Sequence, residues 1–181
     1  PRLTDITPPL PLPPPSRRIE SSSRLIFIGG HVSGEGPGNW RFAVSQIIAI
    51  AMTAHKNIVI SLPCVRKGRI ASCANSSTIP MSDLFRVNNA PVRVLPFHSA
   101  ISHLQSENES IACYDEFETN VTSVNCERVT LPFDWNDDCK FVEWFRDVIE
   151  TKHLYVSRFE RFRFLKCLTQ QEQDLVKKLM M

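Results

Sequence analysis

The sequence predicts an α/β fold, a Rossmann-like three-layer domain with a mainly parallel sheet, and three features carry that expectation. Leu25-Ile26-Phe27-Ile28 is a continuous apolar run that stops at Gly29-Gly30, the pattern of a strand buried on both faces. From Trp40 the apolar residues Trp40, Val44, Ile47, Ile48 and Ala51, followed by His55, recur at helical spacing and mark one face of a helix running to about residue 55. Ile58-Val59-Ile60-Ser61-Leu62 is a second apolar run, ended by Pro63. Strand, glycine-rich loop, helix and strand make a βαβ unit, whose right-handed crossover sets the two strands parallel.

The remaining elements are expected from shorter signals. Residues 1–23 hold seven of the thirteen prolines, the run Pro11-Leu12-Pro13-Pro14-Pro15 and Ser21-Ser22-Ser23, and are expected to form a disordered stem, with the folded domain spanning 24–181. Pro11 and Pro14 have the spacing of a ligand for an SH3-like groove, although a spacer is the commoner meaning. After Pro63 a long loop is expected to Pro80, then a helical turn from Met81 to Phe85 and a third strand at Val92-Arg93-Val94-Leu95. A fourth strand is expected at Arg128 to Leu131. Residues 137–150 place Phe141, Phe145, Val148 and Ile149 on one helical face, and Asp137-Asp138 suit the positive end of that helix. Thr169-Gln170-Gln171-Glu172 has the form of a capping box that opens a last helix toward Met181.

Composition excludes several functions. A net charge of +2 without long Lys/Arg runs argues against a nucleic-acid footprint. The apolar stretch from Val44 to Ala54 falls well short of the roughly 20 residues of a membrane span. Six scattered cysteines with no C-x-x-C pair argue against a zinc ribbon, and no D-x-D stands at a strand end, so no metal is expected. The even cysteine count suits disulfides, and three sequons occur, at Asn75, Asn108 and Asn120; together they point to a lumenal or secreted setting. The chain begins with proline rather than methionine, so a fragment or processed product is expected, with membrane attachment only through an upstream anchor.

The loop from Gly29 to Asn39 follows a buried strand and opens a helix, which brings backbone N–H groups and the positive helix end to the carboxyl edge of the sheet, where phosphates bind in this architecture. A dinucleotide fingerprint fails, because the glycines fall at 34, 36 and 38 and no acidic residue follows the second strand. A P-loop fails as well, because the loop closes with Gly38-Asn39-Trp40 rather than Gly-Lys-Ser/Thr.

Glycosyl transfer remains. Gly36-Pro37-Gly38-Asn39-Trp40-Arg41-Phe42, the strand ending in Leu62-Pro63, and Ile79-Pro80-Met81-Ser82-Asp83-Leu84-Phe85 resemble the start of the GDP-fucose protein O-fucosyltransferases. Glu35-Gly36 before Asn39 and Arg41, with Ile79-Pro80-x-Ser82, look most like the branch that fucosylates thrombospondin-type repeats. The likeness covers about residues 24–100, and the loop carries one residue more, Pro37 or Gly38, than that branch.

The resemblance implies the amino-terminal half of a GT-B glycosyltransferase, located in the endoplasmic reticulum or Golgi lumen and using GDP-fucose as donor without a metal or other cofactor. Its partners would be a GDP-sugar and an acceptor glycoprotein domain. The family's second domain, with a His-x-Arg motif, has no counterpart before Met181, so the chain alone is expected to be inactive. Glu35 is the implied catalytic base, against the ordinary reading of a solvated loop carboxylate. Gly36 and Gly38 would let donor or acceptor approach the backbone. Asn39 would cap the helix, face the donor or do both, and Arg41 would pair with phosphate or with Glu35 unless it is an ordinary surface arginine. His31 and His55 are expected to be packing or surface residues. Arg158, Arg161, Arg163 and Lys166, alternating with phenylalanines, are expected to be a basic helix face rather than an anion site. The competing readings are a non-catalytic binding module of the same fold and an unrelated nucleotide-dependent α/β enzyme.

Overall fold

The computed structural model describes residues 19, 22–28, 37–54, 56–66, 69–71, 79–85, 92–96, 100, 102–105, 110–114, 126–130, 137–156 and 165–181. Strands β1 (Arg24–Ile28) and β2 (Ile58–Leu62) flank helix α1 (Pro37–Thr53) and pair in parallel, with Leu25 opposite Val59 and Ile26 opposite Ile60. Four more parallel strands complete the main sheet: β6 (Val92–Pro96), β7 (Ile111–Tyr114), β8 (Cys126–Arg128) and β9 (Leu154–Val156), in the order β6-β2-β1-β9-β7-β8. The α/β class and parallel sheet therefore match the expectation, and the central strands β1, β2 and β9 run apolar without alternation because both faces are covered. Ile26, Ile58, Ile60, Leu62, Leu154 and Val156 pack on the helical side, while Leu25, Val59, Ile111, Cys113 and Tyr155 pack on the other with Ala100 and Leu104. Ile19 is buried in that second cluster, so packing reaches back beyond the expected start at residue 24.

The expected long loop before Pro80 instead contains a three-stranded antiparallel sheet, β3 (Cys64–Arg66), β4 (Arg69–Ala71) and β5 (Ile79–Pro80), in the order β4-β3-β5. Strands of two or three residues are too short to show a period. The fourth strand of the main sheet is displaced too: the expected Arg128–Leu131 lies mostly beyond β8, which pairs Ile111 with Cys126. Strands β7 and β9 were not expected at all. The insertion of β9 depends on His153, a buried side chain whose Nδ1 accepts a hydrogen bond from Leu25 N–H at 3.1 Å, while its carbonyl accepts from Ala112 N–H at 2.9 Å. One residue thus joins β1 to β7 at the point where β9 enters between them.

Helix α1 differs from a one-faced amphipathic helix. Every residue from Ala43 to Ala51 is buried, including Ser45 and Gln46, because the sheet covers one side and the last helix, α3 (Gln170–Met180), covers another. A helix apolar all round requires such enclosure. Helix α2 (Asp138–Thr151) is amphipathic as expected, burying Phe141, Val142, Phe145 and Ile149, and the Asp137 side chain caps it by accepting from Lys140 N–H at 3.1 Å.

The capping box at Thr169 is present: its hydroxyl accepts from Glu172 N–H at 3.3 Å, and Glu172 Oε2 accepts from Thr169 N–H at 2.8 Å. Glu172, only 1% exposed, does more than cap. Arg146 of α2 grips it with two hydrogen bonds, Nη2 to Oε2 at 2.6 Å and Nε to Oε1 at 3.0 Å, and also donates to Cys167 O at 3.2 Å. The Thr53 hydroxyl at the end of α1 lies 3.2 Å from Glu172 Oε1 and 2.9 Å from Ile50 O, and its single proton serves one of them at a time. A disulfide between Cys139 and Cys167 ties the start of α2 to the short 3-10 turn Leu165–Cys167 just before α3. By loop-closure entropy a bridge across 28 residues stabilises the fold by about 3–4 kcal/mol.

Burial, the strongest influence, pushes the Glu172 carboxyl up, but the hydrogen bond from Arg146, the Thr169 N–H, the Arg146 charge and Thr53 together outweigh it and hold the group below the usual carboxylate range. The folded-state value is therefore lower than the unfolded value of about 4.3, so this stabilisation is complete above that pH and is lost as pH falls through the lower, folded-state value. Glu172→Gln is expected to cost about 2–3 kcal/mol at neutral pH and to flatten the acid side of the stability curve, as read by denaturant unfolding from pH 7 to pH 3.

Candidate functional site

The site expected from the sequence is the carboxyl edge of the main sheet, and the topology makes that edge distinctive. From β1 the chain builds outward through β2 to β6 on one side, whereas β7, β8 and the returning β9 occupy the other. The boundary between β1 and β9 is the topological switch point, the place where open α/β sheets bind ligands. The two strands are in register there, Ile28 opposite Val156. The chain enters the glycine-rich loop from the first and the segment bearing Arg158, Arg161 and Arg163 from the second.

Residues 29–36, with His31, Glu35 and Gly36, lie outside the described residues, as do 157–164, His55, and the sequon asparagines Asn75, Asn108 and Asn120. Of the basic cluster only Lys166 is described, exposed in the 3-10 turn before α3.

Gly38, Asn39 and Arg41 all sit in the first turns of α1. The helix begins at Pro37, a residue suited to the first helical position because its missing N–H has no intrahelical partner to lose. Asn39 is consequently the third helical residue and not the N-cap; it is exposed. Gly38 is exposed as well, and a Cβ built on it would have no atom within 4 Å, so this chain's own packing does not require glycine there. Gly38 and Asn39 thus lie exposed in the first turn of α1, where N–H groups lack intrahelical acceptors.

Arg41 points elsewhere. Its Nη2 donates to Leu179 O in the last turn of α3, at a long 3.4 Å, and the neighbouring Ser45 hydroxyl donates to Arg41 O at 2.8 Å. A cation beside the carbonyl end of a helix is favourably placed. Its Nε is buried without a hydrogen-bond partner among the described residues. This hydrogen bond makes Arg41 a link between α1 and α3.

Two of the sequence blocks that suggested the site, Leu62-Pro63 and Ile79–Phe85, are brought together. Pro63 O, just after β2, accepts from Met81 N–H at 3.0 Å, and β5 pairs Pro80 with Cys64 and Ile79 with Val65. The expected helical turn is a 3-10 turn, Met81–Leu84, whose Met81 is buried in the core cluster that also holds Trp40 and Phe85, while Asp83 is exposed. Two buried polar groups were not singled out from the sequence: both amide atoms of Gln46, and the Ser61 hydroxyl near the carboxyl end of β2, have no hydrogen-bond partner among the described residues. Buried groups of this kind are rare enough to need an explanation such as bound water or ligand. The signal in the sequence was the interruption of two apolar runs by Gln46 and Ser61.

No group of three or more His, Cys, Asp or Glu among the described residues could hold a metal ion, and no described helix is long and apolar enough to cross a membrane. Arg41→Ala is expected to cost about 1 kcal/mol, a fall in Tm of roughly 2–4 °C, because it removes the charge at the end of α3; calorimetry checks this.

No protein-family model, no curated protein and no solved structure matches this chain, so its function has to be argued from the site itself.

Proposed function

We propose that this chain is the acceptor-side, amino-terminal half of a GT-B glycosyltransferase similar to the protein O-fucosyltransferases, transferring fucose from GDP-fucose to a Ser or Thr hydroxyl of an acceptor glycoprotein domain. The observation that carries the reading is the β1-loop-α1-β2 unit at the switch point, with Gly38 and Asn39 exposed in the first turn of α1 and the Met81–Leu84 turn docked on Pro63. These are the blocks in which the likeness to the family resides.

In this mechanism the acceptor oxygen attacks C1 of the sugar on the face opposite the diphosphate. The O–C1 bond forms as the bond from C1 to the phosphate oxygen breaks, GDP departs with the electron pair, and the hydroxyl proton passes to the Glu35 carboxylate. Configuration at C1 inverts. Backbone N–H groups at the start of α1 and arginines would meet the charge that develops on the diphosphate. The disulfide between Cys139 and Cys167 supports the accompanying proposal of a lumenal location in the endoplasmic reticulum or Golgi.

A non-catalytic binding module of the same fold is the second reading. It is favoured by Arg41, whose guanidinium donates to Leu179 O in α3.

Two substitutions test the first reading in the protein purified from its source with GDP-fucose and a Ser/Thr acceptor domain. Glu35→Gln is expected to lower kcat by about 10²–10⁴ without changing Tm, and unaltered turnover would remove the mechanism. Gly38→Ala is expected to leave the fold as stable or slightly more stable, since alanine is the better helix former by about 1 kcal/mol, yet to raise KM. An unchanged KM would mean that no ligand approaches this backbone. GDP release absent even from the unmutated protein would favour the binding module.

A further inference from the structure

We infer that the outer face of the small antiparallel sheet is where the acceptor protein domain docks, on an apolar row at Ile70, Val65 and Ile79 beside the facing arginines Arg66 and Arg69. The inference rests on the reading of this chain as the acceptor-side half of a transferase, and it names the surface that holds the acceptor.

Residues directly opposite one another in an antiparallel pair share a face of the sheet, and successive residues along a strand alternate between faces. Val65, in the central strand β3, is opposite Ile70 of β4 and Ile79 of β5, so the three belong to one face. Cys64 precedes Val65, is opposite Ala71 and Pro80, and belongs to the other. Cys64 is 1% exposed and Ile79 is 58% exposed. The Cys64 face therefore lies against the protein, and the Ile79 face is turned outward. A row of three β-branched residues crosses that outward face over two strand spacings, about 10 Å. A single exposed isoleucine is ordinary, whereas an in-register apolar row on an outward face marks a contact surface.

Place and charge identify the occupant. Strand β3 begins two residues after Leu62 ends β2, and Met81 N–H, just past β5, donates to Pro63 O at 3.0 Å. The small sheet thus springs from the carboxyl edge of the main sheet. Strand β1, whose carboxyl end opens the glycine-rich loop, is the next strand to β2, about 4.8 Å away. Met81 also shares a core cluster with Trp40, near the start of α1. A molecule on this face stands beside the edge where transfer is proposed.

Arg66 and Arg69 are paired directly across β3 and β4. Like charges in that position cost a sheet stability, and carboxylates on a partner would offset the cost. An apolar centre with a charged rim is the anatomy of a protein–protein contact. A GDP-sugar is too polar to cover three aliphatic residues. The occupant is accordingly a folded domain with an apolar patch and neighbouring carboxylates.

The test titrates the full chain, purified from its source, with a folded thrombospondin-type repeat by calorimetry, and follows GDP release from GDP-fucose in the same sample. Ile79→Asp is expected to raise Kd about tenfold with Tm unchanged, while Ile79→Leu keeps the original Kd. Replacing Arg66 and Arg69 together by Ser is expected to flatten the salt dependence of Kd without lowering Tm. Binding that Ile79→Asp leaves unchanged would overturn the docking face. GDP release without binding of the repeat would overturn it as well, and leave the transferase reading standing. Binding weakened by Ile79→Asp without any GDP release would support the surface and remove the transferase reading, and the absence of both binding and release would overturn both.

Discussion

Helix α1 has no polar face to turn toward water, and much of this structure follows from the need to enclose it. Its central residues, Ala43 to Ala51, are buried throughout, so the sheet on one side has to be matched by α3 on another. An 11-residue helix such as α3 is too short to persist alone in water, and it is held in place by the buried Glu172. That carboxylate joins α1, α2 and α3: it caps its own helix at Thr169, receives the Arg146 guanidinium from α2, and lies against Thr53 at the end of α1. The disulfide at Cys167 secures the approach to α3. Arg41 and Leu179, 138 residues apart, meet as a consequence. The start of α1, where Gly38 and Asn39 are presented, is thus braced from the far end of the chain.

A comparable economy appears in the sheet. His153 uses a side-chain nitrogen and a main-chain oxygen to bond Leu25 and Ala112, residues of two strands that β9 then separates. Inserting β9 beside β1 creates the switch point and sets the carboxyl ends of two strands distant in sequence, Ile28 and Val156, opposite one another.

Gly38 and Asn39 are exposed, and the Arg41 guanidinium reaches toward α3. Gln46 and Ser61 remain as buried polar groups without a described partner, and they mark where water or a ligand would have most to offer the fold.

Much of this architecture was legible in local sequence. The apolar runs at Leu25 and Ile58, buried on both faces, could only be central parallel strands around a crossover helix, and the Thr169 and Asp137 caps were readable because capping depends on neighbours three residues away. Of the candidate site, the position of Gly38 in the loop-to-helix segment was legible, but the start of α1 at Pro37 rather than beyond Asn39 was not. Strands β7 and β9 and the small antiparallel sheet escaped notice because two to four residues carry no period, and such strands form only when a neighbour supplies the hydrogen bonds. The amino-acid sequence by itself determined the βαβ core and its helix caps, since these rest on contacts between residues close in the chain. Only the tertiary structure decided that β9 enters beside β1, that Arg41 turns to Leu179 and that Glu172 is buried, because each depends on partners brought together from distant parts of the chain.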